Sequence, residues 1–168
     1  MSVLDFSGLD SVNSSYIKGT AFWLFICGQL TTKGPGSHLS PRHPADPRPY
    51  ELYVCVAGLS PEVVVEFQEF LKPRELPMLY ARRLKGEAIE EAVLLGYLDP
   101  TLRQTLKAIA AEGRTTAPAL HQSHSDEDVT VTAWNNRLND LHSFRLVRRV
   151  RAGRAWEYEA IAKKIIWE

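Results

Sequence analysis

Residues 99–161 constrain the fold more than any other stretch. They hold three helical periodicities in a row, each opened by a capping residue, and then two β-rich pieces around a glycine. Asp99-Pro100 opens the first helix, whose apolar positions Leu102, Leu106, Ile109 and Ala110 recur at helical spacing before Glu112-Gly113 ends it. Thr115 or Thr116 caps a short second helix over 117–121, and a polar loop over 123–128 follows. Thr130 or Thr132 caps a third helix with Trp134, Leu138, Leu141 and Phe144 on its apolar side. Residues 146–151 and 155–161 flank Ala152-Gly153 and read as a hairpin.

Residues 1–98 read differently. Val3-Leu4-Asp5-Phe6 is a short apolar run stopped by Ser7-Gly8, as expected of a buried strand ending in a turn. Asn13, Ser14 or Ser15 caps a helix from Tyr16 to about Leu30 that is apolar nearly all round, which predicts burial on most sides. Five prolines between residues 32 and 49 rule out a helix or central strand and predict an exposed, mobile loop; no metal-ligand partner accompanies its His38 and His43. Residues 52–57 form a continuous apolar, β-rich run, the pattern of a strand in a mostly parallel sheet. Ser60-Pro61-Glu62 starts a helix that runs to about Leu71. Residues 78–82 and 93–98 are further strands, with an acidic turn or short helix near 87–91 between them. This alternation predicts a small α/β layer over 1–98 and a second domain over 99–168.

The 168 residues carry 20 Lys plus Arg and 20 Asp plus Glu, so the chain has no net charge and what matters is where the charges sit. Six arginines (Arg137, Arg145, Arg148, Arg149, Arg151 and Arg154) against the single acid Asp140 fall between residues 137 and 154. Asn135-Asn136-Arg137 lies in the first turns of the third helix. Helix, helix, helix, hairpin is the order of a winged helix-turn-helix domain, whose recognition helix makes its base contacts near its start. Asn and Arg read adenine and guanine edges, and hairpin arginines hold phosphates or enter the minor groove. DNA is the first reading for these eight residues, Asn135, Asn136, Arg137, Arg145, Arg148, Arg149, Arg151 and Arg154; an acidic protein partner is the second, and the acidic run Asp126-Glu127-Asp128 weighs on that side. Trp134 and Trp156 are expected to pack helix against hairpin, and Trp167 to cover the other domain or a partner.

Catalytic signatures are missing: the chain has no GxSxG, HExxH, P-loop or GxGxxG. His121 and His124 are three apart with no third ligand in sequence. Cys27 and Cys55 sit in apolar runs without CxxC or CxxH spacing, as expected of reduced, buried thiols in a cytoplasmic protein. Glu66/Glu69 and Glu90/Glu91 read as solvated faces. The most apolar stretch, 21–27, is far short of the ~20 residues a membrane span needs. Neither enzyme activity, nor a cofactor, nor a metal, nor membrane insertion is expected.

The run from Leu4 to Tyr16, Leu-Asp-Phe-Ser-Gly-Leu-Asp-Ser-Val-Asn-Ser-Ser-Tyr, resembles the STAS-like proteins of bacteria, in which a buried strand ends in Asp-Phe-Ser-Gly and a small-residue turn starts a helix. Val54-Cys55-Val56-Ala57-Gly58-Leu59-Ser60-Pro61-Glu62 looks like that family's next strand-to-helix turn. The resemblance covers about residues 3–98. Thr132-Ala133-Trp134-Asn135-Asn136-Arg137-Leu138 looks like the winged-helix module that some of these proteins carry. The better-known relatives are anti-sigma-factor antagonists, with an Asp-Ser-Ser-Gly turn whose first serine is phosphorylated. Ser14 matches that serine, but Asn13 stands in place of the Asp and Tyr16 in place of the Gly. The resemblance also implies further strands ahead of Val3, where this chain has only Met1 and Ser2. A shortened sheet with an open edge would point to a protein partner or a dimer.

The expectation is a non-catalytic, cytoplasmic regulator of transcription: an α/β, STAS-like docking domain joined to a winged-helix domain that binds duplex DNA. Two alternatives stand beside it, an accessory interaction subunit of a larger bacterial assembly and a phosphoswitch at Ser14.

Overall fold

A computed structural model describes residues 1–28, 52–125, 128–153 and 155–167. The proline-rich segment with His38 and His43, the acidic pair Asp126-Glu127, and Arg154 lie outside the described residues.

The chain opens with β1 (Ser2–Asp5). Asn13 accepts a hydrogen bond from the Tyr16 N–H at 2.9 Å and caps α1 (Ser14–Ile17), which passes through a π turn (Lys18–Phe22) into α2 (Trp23–Gly28). β2 (Val54–Ala57) follows. Ser60 then caps α3 (Pro61–Leu71), with Pro61 in the first turn, where it needs no N–H partner. β3 (Pro77–Lys85) and β4 (Ala88–Gly96) form a long antiparallel hairpin. Next come α4 (Pro100–Glu112), α5 (Ala117–Ser123) and α6 (Val131–Ser143), capped by Asp99, Thr116 and Thr130. β5 (Val147–Ala152) and β6 (Ala155–Ala160) make a second hairpin, and β7 (Ala162–Ile166) ends the described chain. Three helices followed by a hairpin therefore occupy 100–160, in the order the periodicity predicts.

Five strands form one mixed, mostly parallel sheet in the order β1-β2-β3-β4-β7. β2 and β4 are apolar on both sides because both faces of the sheet are covered. Cys55, Leu79, Ala92 and Leu94 point into one core with Leu106, Leu120, Trp134, Leu138 and Leu141. Val56, Met78, Val93 and Leu95 alternate with them and point into the other core, with Ile17, Phe25, Val63 and Phe67. The result is three layers: α1 to α3, the sheet, and α4 to α6. Cys55 is buried in the first of these cores, and burial pushes its thiol up to about 11.

Four sequence expectations change. Residues 88–91 are strand rather than turn or helix, only Glu87 staying in the turn, because Glu90 and Glu91 are ion-paired across strands with Lys163 (2.7 Å) and Lys164 (3.0 Å). Residues 162–166, assigned to the second domain, form an edge strand of the first sheet, so one core runs across the expected boundary at 98/99. Among the described residues β1 is an edge strand with Val3 exposed, not a buried one. The first helix is buried on one side only, and Tyr16 and Trp23 stand in solvent.

The two turns on which the family resemblance rests meet in space. Asp5 accepts from the Ser7 N–H (2.9 Å) and Ser7 hydroxyl (2.6 Å), which holds its carboxyl below the usual range, and Phe6 N–H donates to the Ala57 carbonyl at 2.9 Å. Gly58 sits beneath them at φ +68°, where a Cβ would collide with Ser7 Oγ, Asp5 Oδ1 and the Ser7 backbone nitrogen. A left-handed backbone and an occupied cradle make this a position for glycine alone. Gly58→Ala is expected to destabilise the fold by about 2–4 kcal/mol, the sum of the left-handed penalty and overpacking, read as a lower urea midpoint.

Candidate functional site

The third helix and the hairpin after it hold most of the residues singled out from the sequence. α6 turns Trp134, Leu138 and Leu141 into the core. At about 100° per residue, Thr132, Asn135, Asn136 and Asn139 then form one polar stripe facing away, and all four are exposed. Arg137 lies to one side of this stripe, half-buried, with its guanidinium 5.1 Å from the centroid of the Trp134 ring.

The hairpin is tied to the helical layer at its base. The linker between α4 and α5 pairs with it through Thr115, whose N–H and carbonyl bond to Tyr158 at 2.9 and 2.7 Å. The Tyr158 side chain is buried and donates its hydroxyl to Asn139 Oδ1 at 3.0 Å. Arg149 stands opposite Tyr158 in the ladder and Arg151 opposite Trp156, so all four share one face. Because Tyr158 reaches α6, the arginine-bearing face is the one turned towards the polar stripe. The Arg149 and Arg151 guanidiniums both lie over the Trp156 ring, 4.5 and 5.2 Å from its centroid, and Arg151 also donates from Nε to the Gly153 carbonyl at 3.1 Å. Trp156 itself is 39% exposed. It thus clasps two cations at the surface rather than packing hairpin against helix; Tyr158 does that. The period of two allows either aromatic to face the helix, and only its nearness to the base of the hairpin selects Tyr158.

Arg148 points to the opposite face, where it bonds Glu159 at 3.0 Å together with Arg114 at 3.4 Å. Arg145 corrects the sequence reading. It is only 3% exposed and cannot reach a ligand outside the protein. α6 ends in a Schellman motif, with Leu146 N–H on the Leu141 carbonyl and Arg145 N–H on the His142 carbonyl, both at 3.0 Å. Arg145 occupies the left-handed position, at φ +60°, that glycine usually takes. This turn swings its side chain inward, 5.1 Å from the centroid of the Tyr53 ring and 3.3 Å from His142 Nε2.

Ser14 is exposed in the first turn of α1, on the other side of the sheet from α6, so the structure does not bring it near the arginines. Beside it a cleft of about 450 Å³ is lined by Asn13, Tyr16 and Glu66. Trp167 lies against α4, with Lys107 Nζ at 5.2 Å and the Arg103 guanidinium at 5.6 Å from its ring. Among the described residues no three His, Cys, Asp or Glu side chains converge as metal ligands, and no helix is long and apolar enough to cross a membrane. Comparisons with protein-family models, curated protein sequences and solved structures find no match to the chain.

His142 links α6 to this cation cluster. Burial first, then the positive charges of Arg145 and Arg149, depress its pKa from the ordinary 6.5 to about 3. The folded protein therefore keeps a neutral imidazole where the unfolded chain takes up a proton. Stability conferred this way is complete above pH 6.5 and is lost as pH falls towards 3, at about 1.4 kcal/mol per pH unit. Between pH 7.5 and 5.5 the protein is expected to lose about 1.4 kcal/mol more than its His142→Gln variant, measured by urea unfolding at both pH values.

Proposed function

We propose that α4 to α6 with the β5–β6 hairpin form a winged helix-turn-helix module that binds duplex DNA, and that residues 1–98, with β7 completing their sheet, form a STAS-like unit that docks a protein partner or a second copy. The protein is then a non-catalytic bacterial regulator of transcription. One observation carries the DNA reading: the hairpin face with Arg149, Arg151 and Trp156 is the face turned towards the exposed Thr132-Asn135-Asn136-Asn139 stripe of α6. Amide side chains on a helix suit base edges in the major groove, and cations flanking that helix suit the phosphates on either side. The contact set is Asn135, Asn136, Arg137, Arg149 and Arg151, with Thr132 and Asn139 added. Arg145 is withdrawn into the core, and Arg148 serves the opposite face. The docking reading rests on β1, a four-residue edge strand with Val3 exposed.

The test is fluorescence anisotropy with a random-sequence duplex at two salt concentrations. The Arg149→Ala/Arg151→Ala double variant is expected to bind all sequences more weakly and to flatten the salt slope by about one unit per lost phosphate contact. Asn135→Ala or Asn136→Ala should instead change sequence preference by about 1–3 kcal/mol per contact. No binding by the unaltered protein at low salt overturns the DNA reading.

A further inference from the structure

A cleft of about 620 Å³ opens between the β3–β4 turn and the β5–β6 hairpin. Its walls carry Lys85, Arg148, Arg149 and Lys163 against Glu87 and Glu159, and Glu90 stands beside Lys163 at 2.7 Å. Four cations against these three carboxylates leave a surplus of one positive charge, and Arg114 adds to it. Glu159 Oε2 is shared between Arg148 at 3.0 Å and Arg114 at 3.4 Å, so one carboxylate faces two guanidiniums. Lys163 is held by Glu90. Lys85 is exposed and, among the described residues, makes no ion pair. A concave site with excess charge of one sign concentrates counter-ions of the other.

The base of the cleft is not charged. Ile89, Ala160 and Ile161 line it together with the Tyr53 ring. An apolar base beneath a cationic rim is the composition of a small-molecule pocket, and the volume lies within the usual ~300–1,000 Å³. It is too small for a duplex. The walls come from both ends of the chain and meet only because β7, which carries Lys163, returns to β4.

We propose that this cleft binds a small phosphate-bearing ligand with an apolar or aromatic body, of about nucleotide size. The phosphate sits among Lys85, Arg148 and Lys163, and the body lies on Ile89, Ile161 and Tyr53. This site stands independently of DNA binding. It shares with that face one residue, Arg149, which lines the cleft and lies over Trp156.

The test is isothermal titration of the full chain with ATP as probe, with inorganic phosphate and adenosine as separate arms. ATP is expected to bind at micromolar to sub-millimolar concentration and each arm alone at least tenfold more weakly. Lys85→Glu/Arg148→Gln should weaken ATP at least tenfold. Lys85→Glu alone, at the exposed end of β3, should weaken it at least threefold. Lys72→Glu makes the same charge change at the end of α3, on the other side of the sheet, and should leave affinity unchanged. The proposal is overturned if ATP does not bind, if phosphate or adenosine alone binds as tightly, or if Lys72→Glu weakens ATP as much as Lys85→Glu. It is overturned equally if Arg151→Ala, at the hairpin tip outside the cleft, costs as much as the double variant.

Discussion

β4 can be apolar on both faces only because β7 covers its outer edge. Ala92 and Leu94 feed one core, Val93 and Leu95 the other. A strand of that kind is stable in the middle of a sheet and dangerous at its rim. β7 supplies the missing ladder, and Lys163 and Lys164 lock its register to Glu90 and Glu91. The ion pairs are exposed and add little stability by themselves. Their use is alignment, since a slip along β4 would break both pairs and pull Ala162 and Ile165 out of register with Ile89 and Ala92. Placed correctly, both lie in the core shared with α4 to α6.

The helical half was legible because its signals are local. Asp99, Thr116 and Thr130 are caps, Leu106, Leu138 and Leu141 keep helical spacing, and Gly153 breaks the hairpin at φ +60°. Each can be read within a window of a dozen residues. β7 could not be read that way. Ala-Lys-Lys-Ile-Ile has no alternation of its own, and what makes it a strand is a partner 73 positions earlier. Glu90 and Glu91 misled for the same reason, since glutamates read as turn or helix until the lysines opposite them are known.

The basic face was legible in part. Alternation along β5 puts Arg149 and Arg151 together and Arg148 apart, and the structure agrees. Arg145 lay beyond that logic because it belongs to a helix terminus, where a left-handed residue reverses the chain and turns the side chain inward. Counting arginines measured composition, but each side chain's availability depended on its backbone conformation and its partners. Thr132 reads as a cap and Asn139 is easily passed over, although the spacing of Trp134, Leu138 and Leu141 already places both on the side of the helix away from the core.

The distance in sequence between β4 and β7 has a consequence during synthesis. Residues 88–96 leave the ribosome long before residues 162–166 exist. At about 5–20 residues per second, the nascent sheet waits several seconds with the outer edge of β4 bare. Such an edge recruits any extended segment nearby, including the same strand of a neighbouring nascent chain. Closing the sheet also requires a long-range pairing, the slow class of event in folding. The lysine–glutamate pairs that fix β7 thus also mark the moment at which the young chain ceases to be adhesive, and a cell making this protein quickly must shield β4 until then.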